Sequence, residues 1–173
     1  TNYFLKANNR FLYKYKYVRK DILSFVTNTE VLIHPHPVYD QFGSLLDKNE
    51  AIKHLDLNPE KKYLLFFGFI RNYKGLDLLL DAMVDISNQI HLIVAGEFYE
   101  EESDFTEQAQ SLGIMERVHF FSEFIPQDQV NLYFSACDIV VQPYRSATQS
   151  GVAQIAYHFN KPILVTRVGG LPE

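Results

Sequence analysis

Two kinds of apolar pattern alternate along this chain. Short, mostly apolar runs read as strands: "YLLFFG" (63–68), continuous as in a strand buried on both faces, then "IHLIVAG" (90–96), "VHFF" (118–121), "DIVVQPY" (138–144) and "PILVTRVGG" (162–170). Between them lie segments with helical spacing. In "GLDLLLDAMVDIS" (75–87), Leu76, Leu79, Leu80 and Met83 fall on one face while Asp77, Asp81 and Asp85 line the other. "SDFTEQAQSLG" (103–113) opens on a serine cap and closes on a glycine. "QDQVNLYFSAC" (127–137) is a third helix, and a fourth opens within "SATQSGVAQIAYHF" (146–159). Upstream, "NNRFLYKYKYVRKDILSF" (8–25) sets Phe11, Tyr15, Val18 and Ile22 on one helical stripe among basic residues, which predicts a helix. "VLIHP" (31–35) predicts a short strand closed by proline, and "DKNEAIKHLDL" (47–57) a short helix with Asp47 and Glu50 at capping-box spacing.

Five strand–helix units in succession from residue 63 predict an α/β fold with a doubly wound, mostly parallel sheet. The chain stops at "GGLPE", where another helix is expected to start, so the sheet is expected to lack its closing elements. At 173 residues and 47% hydrophobic, it has enough material for one core without staples. The single Cys137 forms no internal disulfide, which fits a reducing compartment. No run of about 18 apolar residues occurs, so no membrane span is expected. No secretory signal is visible, and the first residue is not Met, as in a piece of a longer chain. Together these features predict a cytoplasmic protein.

The net charge of −5 argues against broad nucleic-acid binding. It is unevenly spread: Lys6, Arg10, Lys14, Lys16, Arg19 and Lys20 fall within the first twenty residues, with no acid among them. A basic aromatic helix of this kind docks on a protein partner, or lies on the inner face of an anionic membrane as a peripheral contact. Against the acidic remainder, Arg71 and Lys74 stand out.

In an open parallel sheet, ligands collect at the carboxyl ends of the strands. Three polar loops converge there. In "GFIRNYKG" (68–75), two glycines bracket Arg71 and Lys74, and a helix starts at the second glycine. Exposed N–H groups and partial positive charge at a helix start suit phosphate, and a lysine and arginine add to both. No Ser or Thr follows the lysine, so this is not a Walker A loop. In "YRSATQSG" (144–151), Ser150 and Gly151 at a helix start leave backbone N–H groups accessible to a second anionic contact. "RVGGLPE" (167–173) adds a glycine pair that fits a plain turn equally well.

Other residues carry less. His34 and His36 have H-x-H spacing, but their prolines make a rigid segment and no third ligand is evident, so no metal site is expected. Glu97 follows Gly96 at a strand end and is placed to face a ligand; His119 and Cys137 read as core residues. Spacing supports no Ser–His–Asp arrangement.

Taken together, "FFGFIRNYKGLDLLLDAM", "VAGEFYE" and "FSEFIPQDQVNLYFSACDIVVQPYRSATQSGVAQIAYHFNKPILVTRVGGLPE" resemble the carboxy-terminal half of the retaining family-4 glycosyltransferases, over residues 31–173. The resemblance implies the GT-B fold, two Rossmann-like domains facing a cleft, with the donor bound by the carboxy-terminal one. Residues 1–30 would then be the tail of a missing amino-terminal acceptor domain, and 31–173 a nucleotide-sugar donor-binding domain. By the same resemblance, Lys74 matches the family's diphosphate lysine. Arg71 stands for its arginine, although it lies nearer the lysine than is usual. "EFIP" (123–126) matches the loop whose main chain contacts the nucleobase, implicating Phe124 and Ile125. Counting back without gaps from Pro162 places the family's E-x7-E glutamates at Ala147 and Ile155, so both carboxylates are absent. The first of them contacts the donor sugar and the second the ribose. Thr148, Gln149 or Gln154 would have to replace them, through amide and hydroxyl hydrogen bonds.

The resemblance implies transfer of a sugar, with retention, from a nucleotide-diphospho-sugar to a glycan, a lipid-linked or a small-molecule acceptor. No cofactor or metal is implied, and the donor half alone is expected to bind rather than turn over. Two alternatives stay open at this point: a nucleotide-sugar epimerase on the same architecture, and a non-catalytic binding module, which the lost glutamates would favour.

Overall fold

The computed structural model describes residues 10–13, 16–25, 30–34, 39 and 41–172. Seven strands follow in chain order: β1 (Arg10–Tyr13), β2 (Glu30–Ile33), β3 (Lys62–Phe67), β4 (Ile90–Ala95), β5 (Val118–Phe121), β6 (Ile139–Gln142) and β7 (Ile163–Val165). The helices are α1 (Lys16–Phe25), α2 (Lys48–His54), α3 (Leu76–Met83), α4 (Glu102–Ser111), α5 (Val130–Ala136) and α6 (Gly151–His158).

β3 to β7 form one all-parallel sheet in the order β5-β4-β3-β6-β7. The chain winds outward through β4 and β5, then crosses back to the other side of β3 to add β6 and β7. The direction of winding therefore reverses between β3 and β6, which makes that junction the topological switch point of the sheet.

The two-residue period of the buried strands decides which face each side chain serves. On one face Tyr63, Leu65, Phe67, Ile93 and Val140 pack with Ile52 of α2, Phe134 of α5 and Ile155 of α6. On the other, Phe66, Leu92, Val94 and Val141 pack with Leu76, Leu79, Leu80 and Met83 of α3 and Phe105 of α4. The apolar stripe expected on α3 is the buried one. Each of its four side chains contributes about 1.5–3 kcal/mol relative to exposure. The α/β class and the parallel, doubly wound sheet are as the pattern predicts.

Local details differ in four places. Residues 8–25 are not one helix: Arg10–Tyr13 is a strand paired parallel with Glu30–Ile33, and the helix begins only at Lys16. "RFLY" is rich in aromatic and branched apolar residues, and pairing with β2 overrides the helical spacing that links Phe11 to Val18. α4 starts at Glu102, with Ser103 inside the helix rather than capping it. Its end at Gly113, where φ is +67°, is as expected. The helices at 75–87 and 127–137 are shorter than their patterns, the latter because its first turn is a 3-10 turn over Gln127–Gln129. α2 forms the Asp47 half of the expected capping box: the Asp47 carboxylate accepts from the N–H groups of Asn49 at 2.9 Å and Glu50 at 3.1 Å. Among the described residues no helix is long and apolar enough to cross a membrane.

Candidate functional site

The loop after β3 is shaped by two glycines. Gly68 leaves the strand with φ at +89°, and Gly75 ends a 3-10 turn (Asn72–Lys74) with φ at +70°. A Cβ at Gly75 would stand 2.3 Å from the Pro143 carbonyl oxygen, so only glycine lets this loop press onto the end of β6. That contact turns Lys74 inward. Its side chain is 7% exposed and makes no ion pair or hydrogen bond among the described residues. The ammonium lies 5.8 Å from the centre of the Tyr144 ring. A Cβ added to Gly68 would stand 3.2 Å from Lys74 Nζ, so glycine keeps room for the ammonium. Burial, helped by the neighbouring Arg71 charge, pulls the Lys74 amine down to about 8.

The second wall comes from β6 and α6. Ser150 sits at the N-cap of α6 in an extended conformation, but its side chain makes no capping bond. Its hydroxyl instead accepts from Gln142 Nε2 at 3.0 Å, leaving the N–H groups of the first turn without a side-chain cap. Gln142 Oε1 is buried with no hydrogen-bond partner among the described residues. A Cβ on Gly151 would meet nothing nearer than the Tyr39 ring at 3.7 Å, so the helix start faces open space. Arg145 joins the two loops. Its backbone N–H donates to Tyr73 O at 2.8 Å, and its guanidinium donates to Asn72 O at 2.8 Å and to both carboxylate oxygens of Asp77. The guanidinium holds the Asp77 carboxyl below the usual carboxylate range. Burial pushes the Tyr144 phenol up to about 12, against the pull of the Ser150 hydroxyl.

These walls enclose a cavity of about 450 Å³ at the carboxyl edge of the sheet. Of the residues singled out from sequence, Lys74, Ser150, Gly151, Gln149, Phe124, Ile125 and Glu97 all line it. Ile155, at the second motif-glutamate position, also lines it. Three candidates lie elsewhere. Arg71 is exposed, with its guanidinium 4.3 Å from the Tyr99 ring centre, and borders a smaller recess of about 210 Å³ with Asp77, Glu100 and Asp104. Thr148 is exposed and off the wall, and Gln154 is buried and off the wall. Ala147, at the first motif-glutamate position, lies under Gly169: a Cβ there would overlap the Ala147 carbonyl oxygen at 1.5 Å. Gly169 of the third loop is thus a packing device against the second loop.

Sequence reasoning did not find the aromatic wall of Tyr39, Phe42, Phe69, Tyr73 and Tyr144, because these residues come from separate loops. It also missed the Arg145 tie, for which the only signal is a lone arginine after Tyr144. Cys137 is buried, as expected, and burial pushes its thiol up to about 12, so it is inert. His119 stacks on His91 at the opposite end of the sheet, with His91 Nδ1 3.0 Å from His119 Nε2. His36 lies outside the described residues; among those described, no group of three or more His, Cys, Asp or Glu is arranged to hold a metal.

A family profile described as glycosyl transferases group 1 matches residues 47–173. The chain belongs to that family. Among its relatives, D-inositol 3-phosphate glycosyltransferase of Mycobacterium marinum is 33% identical over 132 residues, 73% of this chain and 28% of that enzyme. The lipopolysaccharide core biosynthesis mannosyltransferase LpsB of Rhizobium meliloti is 30% identical over 140 residues, 77% of this chain and 39% of that protein. The chain therefore spans well under half the length of these curated relatives. HepE of Anabaena, solved in complex with UDP-glucose, superposes with a TM-score of 0.77 at 18% identity, over 94% of this chain and 46% of that one. The sheet described above is the Rossmann-like half of a GT-B fold.

Proposed function

We propose that this chain is the donor-binding half of a retaining, family-4 type transferase that takes its sugar from a nucleotide diphosphate. The observation that carries this reading is the pairing of a buried, unpaired ammonium, Lys74, with an uncapped helix start, Ser150–Gly151, on the wall of one cavity. They flank the switch point between β3 and β6, where ligands of doubly wound sheets lie. An unpaired buried cation is costly unless an anion completes it, and a diphosphate supplies that anion. The same groups would stabilise the charge that develops on the leaving nucleotide as the glycosidic bond breaks.

On this reading Arg71, outside the cavity, adds only long-range positive potential, Phe124 and Ile125 edge the nucleobase, and Gln149 on the cavity wall offers an amide to the donor sugar. Thr148 and Gln154 stand farther off. HepE binds UDP-glucose on the same fold, which supports a nucleotide-sugar donor. The acceptor, whether glycan, lipid-linked or small molecule, would come from a facing domain such as the family's amino-terminal half.

Calorimetric titration with UDP, GDP and their nucleosides tests the donor reading. Binding of a diphosphate at least tenfold tighter than of its nucleoside is expected. Binding of neither diphosphate would refute it. The anomeric configuration of any transferred sugar tests retention.

A further inference from the structure

We infer that Glu97 reads the ribose of the bound nucleotide, accepting hydrogen bonds from its 2′- and 3′-hydroxyls. The inference rests on the donor reading above and adds to it a residue that discriminates ribonucleotides.

β3, its glycine-bounded loop, α3 and the adjacent parallel strand β4 form a βαβ unit, in which β3 precedes the helix and β4 pairs beside it along its whole length. In doubly wound sheets that bind nucleotides, the loop after the first strand of such a unit takes the phosphates. An acidic residue at the end of the next strand then takes the ribose hydroxyls. Glu97 stands two positions past Ala95, the last residue of β4.

Gly96 has φ at +139°, and a Cβ there would stand 2.5 Å from the Gly68 carbonyl oxygen. The ends of β3 and β4 are therefore in close contact, and Ile70 N–H donates to Glu97 O at 2.8 Å. This contact fixes Glu97 beside the Lys74 loop.

Among the described residues that line the cavity, Glu97 is the one carboxylate and Lys74 the one cation. Lys74 lies in the loop after β3 and the helix start lies after β6, so the anion-binding groups flank the switch point. A carboxylate over β4, on the far side of β3 from β6, repels phosphate and suits a neutral group with two O–H donors. Phe124 and Ile125, in the loop after β5, come next in strand order. The edge from β5 to β6 thus offers an apolar wall, then an acceptor, then a cation and a helix start, which is the order base, ribose and diphosphate. The position where the family resemblance would put a ribose-contacting glutamate is Ile155, whose side chain offers no acceptor.

The test is calorimetric titration of the wild type, Glu97→Ala and Glu97→Gln with UDP and GDP and with their 2′-deoxy and 3′-deoxy forms. Glu97 is exposed, so both variants are expected to melt with the wild type, which confirms that they fold. The wild type is expected to prefer the ribonucleotide by about tenfold or more, the range of a charge-assisted hydrogen bond. Glu97→Ala is expected to bring that ratio close to one, and Glu97→Gln to leave it between the two. Taking the ratio within each variant cancels any general change in diphosphate affinity from the lost negative charge. A wild type without ribose preference, or an alanine variant that keeps it, overturns the inference while leaving the donor reading intact. So does a variant that changes the ratio of UDP to GDP binding and not that of ribose to deoxyribose, since Glu97 would then be reading the base. A wild type that binds no diphosphate overturns the donor reading itself and the inference with it.

Discussion

Lys74 is held in a state that the fold by itself disfavours. Its amine falls from an ordinary 10.5 to about 8, chiefly through burial and secondarily through the Arg71 charge. A gap of that size corresponds to about 3 kcal/mol of destabilisation wherever the lysine is charged in both folded and unfolded chains. The ammonium–ring contact with Tyr144, long at 5.8 Å, returns about 1–2 kcal/mol, less than the burial penalty. Desolvation therefore wins, and Lys74→Met, which keeps the stem and removes the charge, is expected to raise the stability of the ligand-free protein.

The pH dependence identifies the cause. Below pH 8 the wild type carries the whole penalty. Between pH 8 and 10.5 the folded lysine has lost its proton while the unfolded one retains it, so wild-type stability rises with pH across that window. Urea denaturation of both proteins from pH 7 to pH 10 is expected to show Lys74→Met ahead by up to about 3 kcal/mol at pH 7. That lead should shrink steadily above pH 8. Over the same range wild-type affinity for a nucleotide diphosphate is expected to fall by about tenfold between pH 7 and pH 9, as the charged fraction drops from about nine-tenths to about one-tenth. Lys74→Met is expected to bind no diphosphate at either pH. A variant less stable than wild type at pH 7, or a stability gap that ignores pH, would refute the reasoning.

Three further outcomes follow from the geometry. Ser150→Ala strips Gln142 Nε2 of its buried acceptor and is expected to cost about 1–3 kcal/mol in denaturant titration, whereas Gly151→Val, whose new Cβ meets only the Tyr39 ring, is expected to spare the fold and block diphosphate binding. Gly75→Ala combines a left-handed backbone with a Cβ 2.3 Å from Pro143 O, and thermal melting is expected to show a loss exceeding the roughly 1–2 kcal/mol of the backbone term alone. Burial lowers both His91 and His119 in the folded chain, so stability is expected to be complete above about pH 6.5 and to fall as pH drops further, and His119→Leu should flatten that acid limb.

The sheet was legible in the sequence because its central strands, β3 and β4, are apolar runs with no polar alternation to confuse with helix, each ending at a glycine, Gly68 and Gly96. The amino-terminal segment was not, since four residues of "RFLY" satisfy helical and extended patterns equally and only a partner strand decides between them. Within the site, the lysine and the helix start were visible as departures from an acidic, apolar background, whereas Phe124 and Ile125 were singled out only through the family resemblance. Tyr39, Tyr73 and Tyr144 were invisible for the opposite reason: single tyrosines in three loops look like ordinary loop residues until the loops meet.

The contrast between Arg71 and Lys74 shows what spacing alone leaves undetermined. Both stand in one eight-residue loop, both are basic, and either suits a phosphate. The decision is made at Gly75, which has to be left-handed for the 3-10 turn to end against the Pro143 carbonyl. With Gly75 pinned there, the residue before it is drawn under the end of β6 and towards the cavity. Arg71, at the extended N-cap of the same turn, lands outside, over Tyr99. Arg145 then fastens the arrangement, bonding Asn72 and Tyr73 of that turn and Asp77 beyond it while itself belonging to the loop that leads into α6. The cation and the helix start are thus positioned by one shared contact between the two loops rather than by two independent folds. Loosening either loop should move both groups, so substitutions at Gly75 and Asp77, which line no part of the cavity, are expected to weaken diphosphate binding as well as stability.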